Sequence, residues 1–174
     1  FIIMDSSTGK YLNSSLELVD RSEAYTFVTD YSGRISIDGA PEGNYIAYEV
    51  SVPYGYRATT YGSISISSGS TTSVSNSPIL IDIEGTVFLD GGEGKTSARN
   101  DKFDSGEGIN GVRVILKKNG NKVAEVSSGY NSRGSSTGST GKYRFYGQDL
   151  KIRLLELSQY TIEFEYNGIK YENV

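Results

Sequence analysis

The sequence of 174 residues lacks cysteine, histidine and tryptophan altogether and has only three prolines. Without cysteine, disulfide bridges, zinc–thiolate sites and cysteine nucleophiles are excluded. Without histidine, the serine–histidine–aspartate triad and histidine-bound transition metals are excluded as well. Any chemistry therefore depends on carboxylate, lysine, tyrosine or hydroxyl groups. No apolar run approaches the roughly 20 residues of a membrane span, and a net charge of −4 argues against nucleic-acid or anionic-membrane partners.

The residues that are abundant favour β-strands. Tyrosine occurs 14 times and glycine 21 times, serine and threonine are frequent, and strong helix formers are scarce. The sequence therefore predicts an all-β protein with helix in less than about a tenth of its residues. Predicted strands cover residues 1–4, 16–19, 25–28, 34–37, 45–50, 62–66, 79–89, 112–116, 122–126, 142–145 and 160–166. For residues 150–157, helix, strand and a single turn all remain open.

The chain divides into two halves with a shared pattern. In each half a threonine and a glycine-containing turn precede a short alternating strand, at 29–37 and again at 140–145. Because this interval is too long for a solenoid repeat, we expect two related domains. The boundary is placed at Ser77-Pro78, which gives domains of residues 1–77 and 78–174.

Apolar residues at alternate strand positions define the expected interior of both domains. The predicted inward-facing residues are Leu16, Leu18, Phe27, Ile35, Ile37, Tyr45, Ala47, Val87, Leu89, Val112, Val114, Leu116, Tyr143, Phe145, Ile162 and Phe164. Glu163 and Glu165 lie two residues apart on one strand, so we expect both on the opposite, solvated face.

A family resemblance is carried first by the run Tyr45-Ile-Ala-Tyr-Glu-Val-Ser-Val-Pro-Tyr-Gly-Tyr56. This run resembles the signature of the collagen-adhesin B-type (Cna-B or SpaA) domains of Gram-positive surface proteins, a tyrosine-led strand with an inward glutamate before a Pro-x-Gly-Tyr turn. The upstream turn from Asp5 to Thr8-Gly9 fits the same pattern. The resemblance covers most of residues 1–77.

The second half is similar to the serine–aspartate-repeat B-type domains of the same adhesins. The markers are the motifs at residues 85–90, 104–116 and 141–145, in that order. Together the two resemblances imply tandem immunoglobulin-like or prealbumin-like β-sandwiches in an extracellular protein, attached to the cell wall or part of a surface appendage.

The resemblance also implies an amide cross-link site in the first domain, of which one member is missing. Such domains often join a lysine to an asparagine with the help of a buried acid, since burial lowers the pKa of an amine and raises that of a carboxyl group. Glu49 occupies the position of the acid, and Asn76 is the candidate amide. The lysine is absent, because its position falls within Ile2-Ile3-Met4-Asp5 and Lys10 lies beyond the turn. We therefore expect Glu49 to be a half-buried carboxylate that accepts a hydrogen bond.

Acidic residues are concentrated in the long polar segment at the start of the second domain, at Asp90, Glu93, Asp101, Asp104 and Glu107. Calcium binds six to eight oxygen ligands, and related domains bind it in this region. The spacing departs from the usual calcium-loop pattern, and basic residues interrupt it. A solvated loop is the favoured interpretation. If a metal ion is held, the predicted ligands are Asp90, Asp101, Asp104 and Glu107.

Three functions remain open, and none is enzymatic. The first is a structural stalk or spacer of a bacterial surface adhesin or filament, whose partners are neighbouring domains of the same polypeptide. The second is an adhesin module that binds a host matrix protein or glycan through exposed aromatic residues such as Tyr54, Tyr56 and Tyr61. The third is an accessory β-module of a secreted polysaccharide-degrading enzyme or scaffold.

Overall fold

Two units follow one another in the computed structural model, which describes residues 1–58, 63–67, 69–71, 73, 75–91 and 99–172. The first unit is Phe1–Pro78 and the second is Ile79–Val174. Both consist of antiparallel strands with only short helical turns, so the prediction of an all-β fold is confirmed.

Antiparallel pairing in the first unit produces one large sheet and one small sheet. In chain order the strands are β1 (Ile2–Asp5), β2 (Tyr11–Leu12), β3 (Leu18–Val19), β4 (Asn44–Tyr48), β5 (Tyr56–Arg57), β6 (Ser63–Ser67) and β7 (Ser77–Pro78), with a short 3-10 helix at Arg21–Glu23. The large sheet has the order β3-β2-β1-β4-β6, and β5 pairs with β7.

The core of the first unit follows from the register of β1 against β4. Ile3 pairs with Ala47, and Asp5 pairs with Tyr45. Since side chains alternate between the faces of a strand, Ile3, Tyr45 and Ala47 share one face and are buried with Leu12. This cluster is covered by Phe1, Phe27, Ile37, Ala40 and Ile66.

The second unit has the same kind of construction. Its elements are β8 (Ile83–Thr86), β9 (Arg113–Lys118), β10 (Asn121–Ser127), β11 (Lys142–Phe145), α1 (Gly147–Leu150), a 3-10 helix at Leu154–Gln159, β12 (Tyr160–Tyr166) and β13 (Ile169–Glu172). The larger sheet has the order β10-β9-β12-β13, and β8 pairs with β11. The buried core consists of Val114, Leu116, Val126, Tyr143, Phe145 and Ile152.

Residues 25–28 and 34–37 were predicted to be strands, and this prediction is wrong. Phe27 and Ile37 nevertheless pack against the core as their spacing indicates. Phe27 N–H donates to the carbonyl oxygen of Phe1, and the Phe1 nitrogen donates to that of Phe27, both at 2.8 Å, but this pair of bonds does not extend into a strand. The alternation of apolar and polar residues therefore predicted which side chains pack against the core. It did not predict which backbone groups pair with another strand.

The predicted strand at 79–89 is reduced to β8, because the backbone changes partner along this segment. Ile81 N–H donates to the carbonyl oxygen of Ile152, whereas Leu89 N–H donates to that of Glu107. Between them β8 pairs with β11. A continuous strand would need one continuous partner strand.

The prediction that Leu18 and Leu89 face the core is wrong. Leu18 is 36% exposed, because it lies on a two-residue strand at the sheet edge. Leu89 is 42% exposed and lies beyond the end of β8. Residues 150–157 span the end of α1 and most of the 3-10 helix, which are separated at Lys151 by a left-handed backbone conformation, φ 56°.

We expect Leu116→Ala to lower the free energy of unfolding of the second unit by about 2–5 kcal/mol, because the side chain is fully buried and its removal leaves a cavity. Leu89→Ala is the matched control, since the same change at an exposed leucine should cost no more than about 0.5 kcal/mol. Urea unfolding of the full chain measures both. Equal losses for the two variants would contradict the assignment of the core.

Candidate functional site

Glu49 and Asn76 meet at the ends of strands in the first unit. Glu49 directly follows β4, and Asn76 directly precedes β7. Asn76 Nδ2 donates a hydrogen bond to Glu49 Oε1 at 2.9 Å. The structure thus brings together the acid and the amide that the sequence analysis paired across 27 positions. Glu49 is partly buried and accepts a hydrogen bond, as the pattern indicates.

One oxygen of each of these two side chains is buried without a donor. Glu49 Oε2 and Asn76 Oδ1 are both buried, and no residue in the described part of the chain donates a hydrogen bond to either. A buried acceptor left unpaired costs about 1–3 kcal/mol. Such atoms are few in native proteins. Two of them in one contacting pair mark an incomplete polar site.

The side-chain amine that a cross-link needs is missing from this site. Lys10 is the only lysine in the sequence of the first unit, and its Nζ donates to Asp20 at 2.8 Å on the exposed surface. Ile3 lies on β1 in the segment where the resemblance places the lysine, and it is a core residue with 4% exposure. The first unit therefore holds the acid and the amide but offers them no lysine.

The turn after β1 is organised by the carboxylate of Asp5. Its Oδ1 accepts hydrogen bonds from the backbone N–H and the hydroxyl group of Ser7, and from the same two groups of Thr8. These bonds, with that of the Ser7 hydroxyl foremost, lower the pKa of Asp5. Gly9 ends the turn with a positive φ of 70°. The Asp-x-x-Thr-Gly motif is therefore a structural turn.

The geometry of the first unit agrees with a comparison to known families. Residues 2–78 match the family model of the SpaA domain, which has a prealbumin-like fold. The first unit is similar to SpaA domains. No curated protein and no solved structure matches the chain. The resemblance of residues 78–174 to serine–aspartate-repeat B-type domains stays a prediction.

SpaA prealbumin-like domains are typically non-catalytic structural modules of extracellular surface proteins, and the first unit fits such a module. Within the part of the chain that the structure describes, no helix is long and apolar enough to cross a membrane.

In the acidic loop of the second unit, carboxylates accept hydrogen bonds from the loop itself. Asp90 accepts from the backbone N–H groups of Asn100 and Asp101, at 3.0–3.1 Å. Glu107, which is buried, accepts from Gly91 N–H at 3.0 Å and Asp104 N–H at 2.9 Å. These bonds tie the two ends of the loop together.

The four predicted metal ligands do not form a common cluster. Asp104 accepts a hydrogen bond from the side chain of Asn100 at 2.9 Å, and Asp101 contributes its backbone N–H to Asp90. Among the described residues, no three acidic side chains are grouped so that they would hold one metal ion. Glu93 lies outside the described residues. The solvated loop stays the prediction, with calcium ligation as its alternative.

Glu163 and Glu165 share one face of β12, but the expectation that both are solvated is wrong. Glu163 is only 5% exposed. Its carboxylate pairs with Lys117 at 2.5 Å and Lys170 at 3.2 Å. The hydrogen bond from Lys117 is the main reason that the pKa of Glu163 is lowered. Glu165 pairs with Arg113 at 2.8 Å, so neither glutamate is free for acid–base work.

The sequence analysis overlooked a polar network around Asp82. Asp82 accepts hydrogen bonds from the guanidinium group of Arg144 and, at 2.8 Å, from Gly147 N–H. The bond from Gly147 contributes most to the lowered pKa of Asp82. Arg144 and Arg133 also lie over the ring of Tyr146, at 4.7 and 3.9 Å from its centroid. The sequence feature that could have revealed this network is Asp82 itself, a single aspartate within the apolar run 79–83.

Asp5→Asn should destabilise the first unit most near neutral pH. Because the pKa of Asp5 is lowered below its ordinary value of 3.8 in the folded state, its stabilising effect is present above that value and is lost as pH falls. The difference in unfolding free energy between wild type and variant should therefore shrink on acidification, as measured by urea unfolding. Thr8→Val, which removes one donor, should give a smaller change of the same sign. A difference that is independent of pH would contradict this role of Asp5.

We expect calcium to leave the melting temperature of the chain unchanged, because Asp90 and Glu107 already accept backbone hydrogen bonds that a metal ion would have to replace. Calorimetry and thermal unfolding with and without calcium test this, with magnesium as the control cation. A calcium-specific rise that disappears in Asp104→Asn would establish the metal site instead.

Proposed function

We propose that this chain is a structural spacer segment of an extracellular bacterial surface adhesin or filament. The observation that carries the proposal is the match of residues 2–78 to the SpaA prealbumin-like domain. The second unit, which follows the first in the chain and is also built of antiparallel sheets, supports the same role. The partners of such a segment are the neighbouring domains of its own polypeptide, and its place is at the cell wall or in a surface appendage.

A spacer must remain folded outside the cell, and this sequence has no cysteine for disulfide bridges. Hydrogen bonds and side-chain contacts between neighbouring strands are the alternative source of stability. In the second unit, Arg113 on the inner strand β9 pairs with Glu125 on β10 at 2.7 Å and with Glu165 on β12 at 2.8 Å. Exposed ion pairs contribute only about 0–1 kcal/mol each. The backbone ladders and the two apolar cores are therefore the main source of stability.

The engaged carboxylates support a non-catalytic role. Asp5 closes a turn, Asp82 joins Arg144 to Gly147, and Glu163 pairs with two lysines. General acid–base catalysis requires a group that can exchange a proton with substrate at the working pH. Hydrogen bonds and ion pairs lower the pKa of all three carboxyl groups, away from that range.

A second candidate is an adhesin module that binds a matrix protein or glycan. The observation that favours it is Tyr54, which is 77% exposed on the turn between β4 and β5. Tyrosine rings at exposed turns offer an apolar face and a hydroxyl group for contact with a ligand. Tyr56 is half-buried, and Tyr61 lies outside the described residues. The glycan experiment below also tests the accessory-module alternative.

Arrays of glycans and of host matrix proteins separate these functions. We expect the full chain to bind neither array, and to unfold in two separate steps when it is stretched by its ends in a force-spectroscopy experiment, one step for each unit. Saturable binding that is lost in Tyr54→Ala but kept in Tyr31→Ala, another exposed tyrosine, would overturn the spacer proposal in favour of the binding module.

A further inference from the structure

The edge of the large sheet in the first unit that is formed by β6 differs from the other edges of the two larger sheets. In the order β3-β2-β1-β4-β6, β6 pairs with β4 and with no other strand in the described part of the chain. We propose that β6 is an interaction surface at which a second copy of this chain adds its own β6 in the antiparallel direction. The proposal goes beyond the spacer function and does not depend on it.

The hydrogen bonds of the first unit show which backbone groups of β6 face outwards. Backbone groups of successive residues in an antiparallel strand point alternately to its two sides. Asn44 faces the β1 side, because its carbonyl oxygen accepts from Ser6 N–H at 2.8 Å. Asn44 is opposite Ser67 in the register of β4 against β6, so Ser67 faces away from β4. By the same alternation, the backbone groups of Ser63 and Ser65 also face the open side.

Contacts at the end of β6 agree with this assignment and limit the open edge. Ser67 N–H donates to Ser70 Oγ at 3.1 Å, and the carbonyl oxygen of Ser67 accepts from Ser70 N–H at 3.0 Å. Both backbone groups of Ser67 are therefore engaged on the side away from β4. The edge that a second chain can pair with is formed by Ser63 and Ser65, each of which offers an N–H donor and a C=O acceptor.

The other edges of the two larger sheets carry features that hinder pairing with another chain, and β6 carries none. Native proteins protect sheet edges with very short strands, charged side chains or bulges. The edge strand β3 has only two residues. β10 contains Lys122 and Glu125 and has a bulge between Lys122 and Ala124, and β13 contains Lys170. β6 has the sequence Ser-Ile-Ser-Ile-Ser, without charge or proline, and its register against β4 is continuous.

The sequence and hydrogen bonding of β6 indicate a second copy as the partner. Ser63-Ile64-Ser65 is the same in both directions, so a two-fold axis at position 64 relates two antiparallel copies. Ser63 then lies opposite Ser65 of the second copy, and these pairs use all the outward N–H and C=O groups. Position 64 forms the intervening pair, with isoleucine opposite isoleucine. An axis at position 65 is disfavoured, because it places Ser63 opposite the engaged Ser67.

Sedimentation equilibrium of the full chain over a range of concentrations measures the association. We expect the mass to rise from monomer to dimer and no further, because a two-fold contact closes on itself. Ser65 is exposed, so Ser65→Lys should fold, and a lysine on the edge should lower the association constant about tenfold or more. Ser22→Lys adds the same charge at another exposed serine of the first unit. This control should associate like the wild type.

Ser65→Pro tests the backbone directly, since it removes an outward N–H group without adding charge. The ladder with β4 does not use this N–H group, and proline is tolerated at such edge positions. We expect the variant to keep the β-type circular dichroism spectrum of the wild type and to remain monomeric. If Ser65→Pro does not fold, the comparison of Ser65→Lys with Ser22→Lys decides alone.

Single cysteines report the register, because the natural chain has none. With oxidised glutathione, a mixture of Ser63→Cys and Ser65→Cys chains should form more disulfide-linked dimer than either variant alone. The proposal is overturned by a wild type that stays monomeric at every concentration, or by an association constant that Ser65→Lys leaves unchanged. A cross-linking yield that is no higher in the mixture, or a foreign peptide bound at β6 in place of the second copy, would also overturn it.

Discussion

The antiparallel register of β1 against β4 places Ile3 beside Ala47 and makes position 1 the next partner of Glu49. Side chains alternate along a strand, so the face that buries Ala47 also turns Glu49 inwards. A carboxylate on that face needs donors, and among the described residues Asn76 provides one for one of the two oxygens. The main sheet thus generates both the core of the first unit and its unfilled polar site.

Elsewhere in the molecule, buried and partly buried carboxylates receive the hydrogen-bond donors that they need. Asp5 accepts four hydrogen bonds from Ser7 and Thr8, and Glu107 accepts two from its own loop. Asp82 and Glu163 form ion pairs with Arg144 on β11 and Lys117 on β9. In a chain without cysteine, such contacts fix parts of the backbone that small extracellular domains often fix with disulfide bridges. The Glu49–Asn76 pair stands out because it departs from this pattern.

Much of the fold was predictable from local patterns. The alternation in 45–50, 112–116 and 160–166 predicted strands that are present, since a period of two describes a half-buried strand whatever its partner. Segments 25–28 and 34–37 show the same alternation without becoming strands. Burial of a side chain depends on its own position, whereas a strand also needs a neighbouring backbone, which local sequence does not describe.

The sequence by itself determined the all-β class, the absence of disulfide and histidine chemistry, and the presence of Glu49 and Asn76 without a lysine in the segment before the first turn. Only the tertiary structure decided that these two side chains touch and that each retains a buried oxygen without a donor among the described residues. It also decided that Glu163 is buried between two lysines while Leu89 is exposed. The physical reason is that composition and periodicity are properties of the chain. Hydrogen-bond satisfaction depends on atoms that are distant in sequence and meet only in the fold.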